Sequence, residues 1–276
     1  MKTNIPERIT ALREAMIQHH IDAYIIPTSD PHMSEYPADC WKYREWISGF
    51  NGSAGTVVIT AKKAGLWTDS RYFLQASTQL EGTGIDLYKL MLPETPSITE
   101  FLLSELQEGE TVGLNGETYS IVEAQTLASA LSKKGINVNS NLALIDPLWK
   151  DRPAIPNAPM FEMPIELSGQ SVEDKIIDIN KELHKAGADC TILSALDEIA
   201  WTFNIRGTDV TYNPVVISYA FISEKESVLF VNPKKLPVEI AEHLKKNGVL
   251  LADYGMLTTY LSRLPENYRV WIDGKQ

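Results

Sequence analysis

The apolar positions of this chain fall into helix and strand periods that alternate along its length. Ile5, Ile9, Leu12 and Met16 recur at three- and four-residue spacing, the stripe of a helix that buries one face. Asn4 stands at the cap position, with Pro6 in the first turn and Glu7 at the third helical position, so the helix is predicted to begin under an Asn4 cap. Residues 22–26, 57–60 and 66–69 predict strands, and the short connection between the last two predicts an antiparallel hairpin. A helix over about 70–80, a strand from Thr111, a helix near 120–134 and a strand near 136–138 complete the first half.

The second half repeats the first. Val172, Ile176, Ile179 and Leu183 reproduce the opening stripe 167 positions on, with Ser171 as cap and Asp174 at the third position. The same offset carries Asp22 and its strand onto Asp189, and Asp30 onto Asp197, which suggests a shared structural role for the latter pair, such as a cap. After a deficit of twelve residues, 46–52 falls on 201–207, 57–60 on 215–218 and 66–69 on 228–231. A helix follows at about 238–247, and residues 269–273 match 111–115. The second copy stops before the counterpart of the last helix and strand, as expected for a portion of something longer. Strands alternating with helices predict an α/β fold of two tandem domains, each a mixed sheet flanked by helices. Their expected limits are 1–145 and 165–276, around a proline-rich linker at 146–164 whose rings forbid helix.

Composition narrows the function. A net charge of −11 argues against a nucleic-acid partner, because phosphate contacts need clustered Lys and Arg. Cys40 and Cys190 alone can build neither a disulfide framework nor a cysteine zinc site. The first residues lack the apolar core of a signal peptide and no apolar run approaches a membrane span, so the expected location is cytoplasmic, without a membrane partner. None of the five histidines has a partner at ligand spacing. His32 with Asp30 and Glu35 is the densest local cluster, of the composition a polar turn also has.

Residues 46–76 are the richest stretch. Gly49, Gly52 and Gly55 lie at the mouth of a β-branched strand, and a second strand ends at Thr-Asp-Ser-Arg-Tyr. The spacing matches neither a P-loop nor a dinucleotide fingerprint, and a strand follows it instead of a helix, so these glycines are expected to shape a turn. Arg71 has two readings, a recognition residue for a carboxylate or a surface ion-pair partner of Asp69. The second copy runs Val-Leu-Phe-Val-Asn-Pro at this place and is not expected to reproduce the turn, which narrows the functional expectation to Arg71.

Four ordered segments, 24–36, 47–56, 67–76 and 196–210, together with Trp149-Lys-Asp-Arg-Pro, closely resemble the amino-terminal half of the three-domain Xaa-Pro aminopeptidases. The resemblance implies two creatinase amino-terminal-like domains with a ribonuclease H-like motif. It also implies a proline-containing peptide substrate, a homodimer, and a further domain holding two divalent metals, usually manganese. It places the substrate-binding arginine of a Trp-Thr-Asp-Gly-Arg-Tyr motif at Arg71, with Ser70 where glycine is usual. No cofactor or catalytic residue is expected within these 276 residues, and the fragment alone is expected to be inactive. The alternative is a stand-alone binding or assembly module of the same fold. A prolidase or creatinase, with one such domain, fits the duplication less well.

Overall fold

The computed structural model describes residues 4–275. They form two compact units, one comprising the chain to Pro31 with Asp39–Ala154, the other His32–Ala38 with Ile155–Gly274.

Unit 1 runs α1 (Ile5–Gln18), β1 (Ala23–Pro27), α2 (Tyr43–Ser48), β2 (Thr56–Thr60), β3 (Ala64–Thr68), α3 (Phe73–Gln79), β4 (Asp86–Lys89), α4 (Ile98–Glu105), β5 (Thr111–Leu114), α5 (Ile121–Ser132) and β6 (Asn137–Asn139). The sheet order is β4-β3-β2-β1-β5-β6, antiparallel around β2 and parallel elsewhere. On one face α1 and α2 bury Ile5, Ile9, Leu12, Met16 and Ile47. On the other, Phe101 and Leu102 of α4 and Leu127 and Leu131 of α5 close over Ile25, Val58, Trp67 and Val112. Capping boxes start both of these helices, Ser97 with Glu100 and Ser120 with Glu123.

Unit 2 contains β7 (Phe161–Glu162), α6 (Ile165–Ser168), α7 (Val172–Ala186), β8 (Cys190–Leu193), α8 (Leu196–Thr202), β9 (Ile205–Arg206), β10 (Ser218–Ser223), β11 (Ser227–Val231), α9 (Val238–Lys246), β12 (Val249–Ala252), α10 (Leu257–Leu261) and β13 (Val270–Trp271). Its sheet order, β12-β11-β10-β8-β13, is that of β4-β3-β2-β1-β5, with the same strand directions. Among the described residues of unit 2, none takes the place of β6.

The duplication extends to single hydrogen bonds. Asp22 and Asp189 each donate their amide to the carbonyl opposite, on Thr111 and Arg269, and accept that residue's N–H on the carboxylate at 2.8 and 2.7 Å. Both hairpins turn alike: the hydroxyls of Thr60 and Ser223 accept the N–H of Lys63 and Glu226 at 3.0 and 3.2 Å. Arg8 and Lys175, related by the same offset as their helices, each donate to the carbonyl of the repeated tryptophan, Trp46 or Trp201, and sit over its ring at 4.6 and 4.3 Å.

Several details differ from the sequence alignment. Because Ala23 faces Thr60 and Cys190 faces Ser223, the counterpart of residues 57–60 is 220–223, five positions beyond the Val-Val-Ile-Ser run. The next strand shifts by one: Leu66 corresponds to Leu229 and Trp67 to Phe230. Asn4 occupies the cap of α1, but its side chain accepts no backbone N–H, and its side-chain amide donates to Glu7 instead. Ser171 does cap α7, at 3.1 Å from the Asp174 amide. Asp30 and Asp197 differ in setting: Asp197 is exposed in the first turn of α8, whereas Asp30 is fully buried in a loop.

Candidate functional site

The hairpin of β2 and β3 brings the glycine loop and the Asp-Ser-Arg-Tyr turn to one end of the unit 1 sheet. Thr68, the last residue of β3, donates its hydroxyl to the Ala54 carbonyl at 2.6 Å. Gly55 is required by this closeness, since a Cβ there would lie 3.1 Å from the Trp67 carbonyl oxygen. Gly52 is more constrained, because its Cβ would meet Phe50 at 2.3 Å and Tyr72 at 2.8 Å. Gly49 closes α2 in the left-handed region at φ 72°. The glycines therefore shape a turn.

Arg44, which the sequence did not single out, holds this loop from beneath. It is buried, donates to the carbonyls of Phe50 (3.0 Å) and Gly52, and lies 4.8 Å from the Phe50 ring. Burial pulls its guanidinium down to about 10. From above, the Tyr72 hydroxyl meets the Ser53 hydroxyl at 2.6 Å, and the Tyr72 ring meets Phe50 edge-on. Asn51 accepts from the amides of Gln75 and Gln79, both at 2.7 Å, which ties the loop to α3. With Phe50 and Tyr72 held by so many partners, Gly52→Ala is expected to cost about 1–3 kcal/mol by overpacking. Urea unfolding checks this, and a cost below about 0.3 kcal/mol would show the loop to be slack.

Arg71 stands on this support. Asp69 caps a single 3₁₀ turn, Ser70–Tyr72, by accepting the Arg71 amide at 3.1 Å. The same carboxylate takes Nε at 2.9 Å and Nη2 at 2.8 Å, a bidentate pair that sets the plane of the guanidinium. The pair holds the Asp69 carboxyl below its usual range. The Arg71 side chain remains 65% exposed, with its guanidinium 5.1 Å from the Tyr72 ring. Ser70 keeps a negative φ, so serine here carries none of the strain of a left-handed position.

The turn is also duplicated, contrary to the expectation from sequence. Asn232 caps Pro233–Lys235 by accepting the Lys234 amide at 3.0 Å, as Asp69 accepts Arg71. Lys234 is thus the counterpart of Arg71. What unit 2 lacks is the anionic cap and the planar fork.

The other candidates are accounted for by packing. His32 is buried, with Nδ1 2.8 Å from the Ser194 carbonyl and Nε2 3.0 Å from the Tyr254 hydroxyl, which occupies both ring nitrogens. Both cysteines are buried, and burial raises their thiols, Cys40 to about 11. Among the described residues no three His, Cys, Asp or Glu side chains are grouped to hold a metal ion. No helix among them is long and apolar enough to cross a membrane.

Two repeated α/β units with this strand order define the class: the chain belongs to the creatinase/prolidase amino-terminal domain family, whose models match residues 8–147 and 151–276. The relatives within that class are more particular. The chain is 41% identical over 259 residues to a Botryotinia fuckeliana protein named "Probable Xaa-Pro aminopeptidase P", covering 92% of this chain and 39% of that protein. A Coprinopsis cinerea protein of the same name is 39% identical, over 95% of this chain and 42% of its own. Among solved structures, the X-prolyl aminopeptidase of Caenorhabditis elegans, described as a cytosolic enzyme with a di-nuclear active site, superposes with a TM-score of 0.90 at 30% identity. That likeness covers 94% of this chain and 44% of the C. elegans chain. The chain spans about two fifths of the curated relatives it matches.

Proposed function

We propose that the chain is the amino-terminal, two-domain portion of a metal-dependent Xaa-Pro aminopeptidase, a hydrolase that releases a first residue followed by proline. One observation carries this reading: nine tenths of the chain matches enzymes of that name while occupying two fifths of their length. Its division into residues 1–145 and 165–276 around a linker belongs to the same proposal, as do a cytosolic location and a homodimer.

Within such an enzyme the chain has a positioning task. Arg71 presents a guanidinium, already oriented by Asp69, to the carboxylate end of a bound peptide. The stiff loop beneath it, pinned by Arg44 and Tyr72, limits the entropy lost when a substrate docks. The two divalent ions, with manganese the expected metal, would be held by the remainder of the longer protein, where they would supply Lewis-acid activation of water and of the scissile carbonyl. The experiment is to assay the longer protein on an Arg-Pro-Pro peptide and on its Arg-Ala-Pro analogue. Release of arginine from the first only, abolished by a chelator, is expected. Equal release from both, or indifference to the chelator, contradicts the proposal.

A further inference from the structure

The two units carry the same hollow, and only one of them is filled. In unit 1 it is bounded by residues 24–27, Tyr43 and Asn115, and it shrinks to about 10 Å³ because Ala143, Ile145 and Asp146 lie in it. In unit 2 the counterparts, residues 191–194, Glu198 and Asp273, line an open cleft of about 960 Å³. The difference is a strap. Residues 142–152 cross unit 1 with Leu144 and Ile145 buried. The Tyr24 hydroxyl donates to the Leu142 carbonyl at 2.6 Å and accepts the Leu144 amide at 3.3 Å. Trp149 stacks on Trp46 at 5.7 Å. Arg152 pairs with Asp146 at 2.8 Å and donates to the Tyr43 hydroxyl.

Two of the three anchors, Trp46 and Tyr43, have exposed counterparts in unit 2, Trp201 and Glu198. Trp201, equivalent to Trp46, is held by Lys175 as Trp46 is by Arg8, yet it is 46% exposed where Trp46 is 9% exposed. Thr191 replaces Tyr24 with a shorter side chain, and its hydroxyl donates to the Trp271 carbonyl at 2.8 Å. Glu198 stands where Tyr43 receives Arg152, among Asp197 and Asp273, and burial with those neighbours raises its carboxyl. A basic side chain arriving there would meet a carboxylate instead of a phenol.

We propose that the unit 2 cleft is the docking site of a second strap, supplied by the same polypeptide on the carboxyl side of unit 2. It would carry a branched aliphatic pair, an aromatic ring and a basic residue in the order of Ile145, Trp149 and Arg152. The aromatic ring stacks on Trp201 and the cation pairs with Glu198. This proposal rests on the reading of the chain as part of a longer enzyme.

The test uses a synthetic peptide of residues 141–153 as probe, titrated by calorimetry into the 276-residue chain. Saturable binding is expected, weakened about tenfold or more by either Trp201→Ala or Glu198→Lys, since a stacked pair or a buried ion pair is worth upwards of about 1.4 kcal/mol. A peptide carrying Arg152→Glu should recover binding to the Glu198→Lys chain. No binding at millimolar peptide, or binding indifferent to both substitutions, overturns the site. In the longer protein the cleft is occupied, so the peptide should no longer bind. Equal binding to the two proteins overturns the source. A longer protein whose cleft is closed but which releases no residue before proline would leave the strap standing and remove the enzymatic reading.

Discussion

Asp209→Ala is expected to cost about 3–5 kcal/mol, the usual loss on breaking a buried ion pair. The Asp209 and Lys235 side chains are 1% and 0% exposed and form a direct ion pair. Asp209 Oδ2 also accepts the Ile217 amide at 2.7 Å, so the carboxylate fixes both the loop before β10 and the turn after β11. Lys235 in turn receives the Met160 amide on its carbonyl at 2.9 Å, which extends the effect to the residues that lead into unit 2. Hydrogen exchange on the Asp209→Ala chain should show faster opening of unit 2 amides with unit 1 unchanged. A double replacement, Asp209→Leu with Lys235→Met, should recover much of the loss, because it removes both charges together. A single-variant cost below about 1 kcal/mol would mean that water reaches the pair.

The second large effect concerns Arg71. In the proposed longer enzyme, Arg71→Met should lower kcat/KM for a peptide with a free carboxyl terminus by roughly 10- to 150-fold, the equivalent of about 1.5–3 kcal/mol for hydrogen bonds to a charged group. The amidated peptide should lose far less. Lys234→Met, at the duplicated position, should change neither. Steady-state kinetics on the paired peptides checks all three, and an equal loss on both peptides would reduce Arg71 to a partner of Asp69.

The architecture was legible in the sequence where a period decides it. The helix stripes of α1 and α7 share one offset, and the strands between them follow, so an α/β duplication could be read directly. Register was not legible. All five residues of β11 are buried, so apolar alternation sets no phase, and a shift of one residue looks as good as none. The Val-Val-Ile run at 215–217 resembles a strand by composition. Yet the Ile217 amide is taken by Asp209, and the strand begins at Ser218. The hairpin hydroxyls Thr60 and Ser223 carried the true register.

The site was partly legible for a similar reason. Arg71 is marked by its motif, and the glycines by their spacing. Arg44 carries no local signal, because nothing in its neighbours reveals that a charged residue in a six-residue helix turns inward beneath a loop. The open cleft of unit 2 was invisible until its filled counterpart could be laid beside it.

Under the proposed function these residues recognise substrate and do not catalyse. The most direct measurement incubates the 276-residue chain alone with an Arg-Pro-Pro peptide and manganese, beside the longer protein under the same conditions. Arginine release by the longer protein and none by the chain is expected. Metal-dependent release by the chain alone would contradict it.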